Sequence, residues 1–279
     1  MEELLPGREV VIGTRNGTIV TRILPNKERR LVGAWCFADH YGPSDITGRP
    51  GMSVAAHPHA GLQTVSWLIA GDVLHQDTLG NEQLIRPGQL NLMTAGHGIA
   101  HAEHSPPGSQ GSLHGVQLWV ALPSGQSNVD AHFEHHADLP RFTNDGLAVT
   151  VLMGQLAGHA SPAKAYTPIV GAEVRGRGVL SVQEDFEHMV LPLDGSIATY
   201  HSPGQSALPI QGDALVLGGE PFDEQIVMWW NFIGRSHEEI AAMRTAWEAH
   251  ERFGELEGER IPAPPMPATR LVPRGRMRH

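Results

Sequence analysis

The 279-residue chain has a single cysteine, Cys36, and only two lysines, Lys27 and Lys164. One cysteine excludes an internal disulfide and any iron–sulfur or multi-cysteine metal site, and it points to a cytoplasmic protein. Neither lysine stands in a G-x-x-x-x-G-K frame, so a Walker-type phosphate loop is absent. So are G-x-G-x-x-G, G-x-S-x-G and H-E-x-x-H. No apolar run approaches the ~18 residues that a membrane span needs. The acidic opening, residues 1–7, does not read as a secretory signal. Charged residues make up 18% of the chain, too few for disorder, whereas 32 Gly and 21 Pro are too many for a helical bundle. The net charge is −10, and because residues 260–279 hold five Arg and no acid, residues 1–259 carry −15. Such a body repels DNA phosphates and anionic membranes, so neither direct nucleic-acid binding nor membrane association is expected.

What remains is a mainly β chain. Residues 10–12, 18–24 and 31–37 are rich in β-branched and aromatic types, with Asn16-Gly17 as a hairpin signal between the first two. Further strands are expected at 61–71, 89–93 and 116–122. The punctuation then repeats. An apolar run ends at Gly71 and Gly88 opens the next strand. In the second half 188–193 ends at Gly195, and Gly212 opens 214–217. Both intervals are 17 residues, and the offset of 124 suggests two copies of one β module. The boundary is expected in the polar stretch 123–146, giving an N-terminal unit 1–135 and a C-terminal unit 136–255. A helix is expected over 237–253, from the capping box Ser236-x-x-Glu239, the spacing of Ile240, Met243 and Trp247, and Gly254 as a stop. It is expected to pack on the second unit. The Pro/Arg-rich tail 256–279 reads as extended and superficial or loose. Within it, 271–275 (Leu-Val-Pro-Arg-Gly) looks like a protease-site scar, to which no function is assigned.

Ten of the 17 histidines lie between His57 and His136. Two spacings stand out, His57-Pro-His59 and His101-Ala-Glu103. On a strand, side chains at i and i+2 share a face, so each triplet presents two ligands together. Two such strands facing each other inside a small barrel would converge three neutral imidazoles and one carboxylate. That donor set suits a first-row divalent metal, iron, manganese, nickel, copper or zinc, rather than calcium or magnesium. The other histidines have plainer readings. His97 is a rim residue, His104 and His114 line the cavity or support the ligands, His75 is structural, and His132, His135 and His136 are solvated linker residues. Trp35 and Cys36 read as core.

Gly51, His57-x-His59, Pro87-Gly88 and His101 resemble the cupin double motif. More closely, 57–65 (HPHAGLQTV), 93–103 (MTAGHGIAHAE), 115–120 (GVQLWV) and 35–43 (WCFADHYGP) resemble the pirin family. The resemblance is densest over 31–123 and looser to about 235. It implies a bicupin, two antiparallel jelly-roll-like β-barrels face to face with a C-terminal helix and one metal, most often Fe(II), in the N-terminal barrel. The family's ligands map onto His57, His59, His101 and Glu103. Gln63 stands where the usual cupin motif has Glu, and reads as a neutral group in or near the ligand shell. Adding 124 to the ligand positions gives Ser181, Gln183, Gln225 and Val227, no ligand set, so the second unit is expected to be metal-free. The resemblance implies two functions. One is quercetin 2,3-dioxygenase activity on a flavonol-like substrate and O2, with Glu103 as the candidate base. The other is iron-dependent regulation through a protein partner.

Overall fold

The computed structural model describes residues 2–13 and 17–277, so the Asn16 part of the expected hairpin turn lies outside the described residues. The flanking strands Arg8–Ile12 and Thr18–Leu24 do pair antiparallel. The fold is all-β apart from one 3-10 turn and one α-helix. Its N-terminal half is two sheets. A seven-stranded antiparallel sheet runs His132–His136, Leu90–Thr94, Leu62–Ala70, Ser112–Ala121, Trp35–Asp45, Thr18–Leu24, Arg8–Ile12. A four-stranded sheet, Ser53–His59, Ile99–His104, Val73–Asp77, Glu82–Ile85, packs against it through Val54, Val73 and Ile85 on Val20, Tyr41 and Leu68. The second half is built on a nine-stranded antiparallel sheet around Leu147–Leu156, Ile169–Ser181, Glu187–Pro192 and Ala214–Gly219. None of these sheets closes on itself among the described residues.

The repeat signal marks equivalent places in this topology. Leu62–Ala70 pairs with Leu90–Thr94, and Glu187–Pro192 pairs with Ala214–Gly219. Gly71 and Gly195 follow the first strand of each pair, at φ of 80° and 82°. The halves meet face to face across a shared core. Leu62–Ala70 is buried on both faces over its first seven residues, as expected of a central strand covered on two sides. Trp35, Trp67 and Leu118 share one core with Met189, Leu191 and Leu217 from the second half. Trp35 Nε1 donates to the Val170 and Gly218 carbonyls at 3.1 Å each. Cys36 is also core: fully buried, with its thiol pKa pushed up by that burial.

The structure changes or sharpens four of these expectations. The stretch 123–146 is more than a linker, since it supplies the strands His132–His136 and Arg141–Asn144. The helix is shorter than 237–253. It spans His237–Glu248 with Ser236 as N-cap, because the chain then turns through His250 and Arg252, both at positive φ, to bury Phe253. Its apolar face, Ile240, Met243 and Trp247, packs on Val227 and Phe232 of the second unit and also on Ala60 and Ala100 of the first, so it lies across both rather than on the second alone. The tail is extended and superficial as expected, but it is tied down rather than loose. Ile226 and Arg274 exchange two backbone hydrogen bonds, and Arg276 reaches the fully buried Glu187 at 3.0 Å.

The chain ends are exchanged. The strand Glu2–Leu5 pairs with Ala198–His201 in the second sheet, where Leu5 is buried beside Tyr200. The C-terminal segment returns to the first half. There, buried Arg29 pairs with Glu3 at 2.9 Å, lies over the Tyr200 ring, and forms a β-bridge with Met277.

Candidate metal centre

The two sequence triplets sit on neighbouring strands of one sheet, not on strands facing each other. Ile99–His104 pairs antiparallel with Ser53–His59, and His101 lies opposite His57. The register then slips, so that Glu103 opposes Val54 and the His-bearing strand holds one extra residue. Ser53–His59 is an edge strand, which is why Pro58 is tolerated between the two histidines. Its open edge is covered by the tail: Ala56 N–H donates to Glu259 O, and Ile261 N–H to Ala56 O.

Alternation then brings His57, His59 and His101 together, all at most 7% exposed, with ligand atoms within 4.8 Å of one another. His59 Nε2 and His101 Nε2 are 3.1 Å apart. Two nitrogens on bonds of ~2.1 Å at right angles would be separated by about 3 Å, so the spacing fits one first-row ion between them. His57 Nδ1 faces the Ala55 carbonyl at 2.9 Å, which leaves Nε2 as its donor atom. Burial holds all three rings neutral. It pushes the His57 pKa down to about 4, and with repulsion from neighbouring histidines it places His59 and His101 well below the ordinary imidazole value. Neutral imidazoles are what a metal requires.

Glu103 lies two residues along the same strand and lines the same cavity of about 480 Å³. Its carboxylate clusters with His101 and His75 rather than with His57 and His59. Ser66 Oγ is 3.2 Å from Glu103 Oε1 and 2.9 Å from Gln117 Oε1. Burial raises the Glu103 pKa, against the pull of His75 and Ser66. Phe37 and Trp119 stack at 4.0 Å to form an apolar wall, and Trp119 meets His59 edge-on at 5.1 Å. Trp119 Nε1 is buried without a partner.

His75 does more than fill the core. Its Nδ1 is 3.3 Å from His101 Nδ1, and its Nε2 is 3.1 Å from Asp77 Oδ2. If His101 Nδ1–H donates to His75 and His75 Nε2–H donates to Asp77, the chain fixes His101 with its Nε2 lone pair toward the other two histidines. Burial opposes it, but hydrogen bonds from His75 and Asn81 hold the Asp77 carboxyl below its ordinary pKa. The spacing His75-x-Asp77 on a strand was the available signal.

Other expected site residues lie elsewhere. Gln63 donates to Thr94 Oγ1 and to the Lys164 carbonyl of the second half, and does not line the cavity. His114 faces His40 at 2.8 Å, and His104 lines a separate surface cavity; neither reaches the cluster. His97 is exposed and does not line the cavity. His132, His135 and His136 are half-buried strand residues, with His135 bonded to Asn91 at 2.6 Å.

Two cupin-type β units with a histidine cluster in the first define a bicupin. The chain belongs to the pirin family. The Pirin profile matches residues 17–120, and the profile for the Pirin C-terminal cupin domain matches 206–254. A Pseudomonas aeruginosa protein provisionally named a quercetin 2,3-dioxygenase is 45% identical over 274 residues, covering 90% of this chain and 87% of the relative. A pirin-like protein of Caulobacter vibrioides is 31% identical, covering 88% and 94%. The crystal structure of quercetin 2,3-dioxygenase from Acinetobacter baumannii superposes with a TM-score of 0.91 at 38% identity over 96% of each chain.

Proposed function

We propose that this protein is a metal-dependent dioxygenase of the quercetin 2,3-dioxygenase type, opening a flavonol ring with O2 and releasing carbon monoxide. The observation that carries this reading is the convergence of His57, His59 and His101, buried and neutral, in a cavity that also holds Glu103. The names of the similar Pseudomonas and Acinetobacter proteins support it. One divalent transition ion per chain would be held by His57, His59, His101 and Glu103, Fe(II) first, with Mn, Ni, Cu or Zn as alternatives. Bound there, it would supply Lewis acidity toward substrate oxygens and a route for electrons between substrate and O2.

The chain's own groups do the rest. Glu103, the one anion of the set, takes the proton of the substrate hydroxyl at a carboxylate oxygen. Ser66 fixes the rotamer of that carboxylate. Phe37 and Trp119 give the cavity an apolar lining for an aromatic body, and the unpartnered Trp119 N–H is a ready donor for a substrate oxygen. The single buried cysteine suits a cytoplasmic setting.

The test is anaerobic loading with Fe(II), metal analysis, then O2 uptake and carbon monoxide release with quercetin. Equal amounts of O2 consumed and carbon monoxide released are expected. Loaded protein that binds flavonols yet consumes no O2 would overturn the enzymatic reading in favour of regulation through a protein partner.

A further inference from the structure

The cavity at the histidine cluster adjoins a larger cleft of about 690 Å³, with which it shares Arg22, Pro25 and Met228. In a protein of net charge −10, this cleft is lined by six cations, Arg8, Arg22, Lys27, Arg30, Arg270 and Arg274, and by no carboxylate. Arg22 is paired with Asp39 and Arg270 with Glu238. Arg8, Lys27 and Arg274 form no ion pair within 4 Å among the described residues, although Arg8 stands near enough to act on the Asp39 carboxyl. These cations come from segments far apart in sequence, and the backbone pairing of Arg274 with Ile226 holds the tail's charge against the others. Gathering like charges costs stability unless an anion offsets it. The floor of the cleft is apolar, with Leu31, Ile226, Val227 and Met228, and it continues toward the Phe37–Trp119 wall.

We propose that this cleft is an oxyanion site: the ligand of the histidine centre is a flat aromatic carrying a carboxylate, sulfate or phosphate group that seats among Arg8, Lys27 and Arg274. Only the aromatic body of that ligand rests on the proposed function; the anion site does not. The chemistry is charge-assisted hydrogen bonding to guanidinium and ammonium groups over an apolar base.

The test uses full-length protein stripped of metal, so that it is independent of turnover. The probes are 1-anilinonaphthalene-8-sulfonate and its uncharged counterpart N-phenyl-1-naphthylamine, followed by fluorescence. The sulfonate is expected to bind roughly tenfold tighter at low salt, with the advantage shrinking as NaCl rises. The exposed-residue variants Arg8→Gln, Lys27→Gln and Arg274→Gln are expected to lose most of that advantage while their metal uptake matches wild type. Displacement by benzoate, phenyl sulfate or phenyl phosphate supports the site and identifies the oxyanion; displacement by none overturns it. Equal affinity for the two naphthylamines, or variants that bind as wild type does, also overturns it. If the sulfonate gains nothing while Fe(II)-loaded protein still consumes O2 with quercetin, the cleft proposal falls alone. If the variants behave as expected and no O2 is consumed, the oxyanion site stands without the dioxygenase.

Discussion

At the scale of single residues, the cluster makes sharp demands. His101→Ala removes both the Nε2 that faces His59 and the Nδ1 that faces the His75–Asp77 chain, so metal content should fall by most of an equivalent while cooperative unfolding persists, because the surrounding core is apolar. Metal analysis and a urea melt on one sample check both halves of that statement. Glu103→Gln keeps the shape but not the basicity. With the ion retained, kcat should drop by about 10²-fold or more and KM change little. Acid stability draws on the buried neutral histidines of the site and also on one outside it. His188 is fully buried, neither ring nitrogen has a partner, and burial followed by His201 pushes its pKa down to about 4. Unfolded, the ring titrates near 6.5. Between those values the unfolded chain takes up a proton that the native state refuses. Its contribution is therefore complete above about pH 6.5 and is lost on acidification, by order of 3 kcal/mol at about pH 4. His188→Leu should flatten that limb, seen as a smaller drop in urea midpoint between about pH 7.5 and 4.5; an unchanged drop would clear His188 of the effect. That His57, His59 and His101 come together was legible because period two needs no knowledge of the partner strand, whereas the grouping of Glu103 with His75 was not. Nor was the role of His75, because it depends on a sheet neighbour 26 residues away, or that of Gln63, whose amide is claimed by the second half.

At the scale of elements, local rules fixed the start of the helix and tertiary burial fixed its end. Ser236 caps through the Glu239 N–H as the capping box requires. No local signal foretold that Phe253 would be drawn under Ala100, whose N–H donates to the Phe253 carbonyl at 3.1 Å. The helix and the antiparallel pair Val227–Trp229 and Phe232–Gly234 therefore brace the histidine-bearing strands. Gly61 makes that contact possible: it sits at φ +74° at the end of the His-bearing strand, and a Cβ there would lie 2.1 Å from the Ile233 carbonyl. Gly61→Ala should cost about 3 kcal/mol or more, or prevent soluble folding, read from the midpoint of thermal or urea unfolding. Composition did not separate a tethered tail from a loose one, because proline and arginine mark both. Here Arg276 compensates a carboxylate that Tyr200 and the Gly33 N–H also bind. Arg276→Ala should lose about 2 kcal/mol, less than for a lone buried pair because Arg29 remains 3.8 Å from Glu187.

At the scale of the whole molecule, the repeat of 124 residues was readable as glycine punctuation, but the way the halves interlock was not. The second half offers no cluster of three metal-ligating side chains among the described residues. Loaded protein should therefore bind one ion per chain, and a stoichiometry of two would count against the repeat argument. Because Trp35 and Trp67 share a core with Met189 and Leu217, either half expressed alone should be insoluble or molten. The meeting of Glu3 and Met277 on Arg29 reaches further. Both ends of the described chain stand within one side chain's reach of each other. A short linker joining residue 2 to residue 277 would make a ring of the described chain without disturbing its sheets. By loop-closure arguments a ring of this length loses unfolded-state entropy worth of order 5 kcal/mol, and new termini could then be opened at a surface turn such as Gly158 or Gly204, where a side chain would meet nothing.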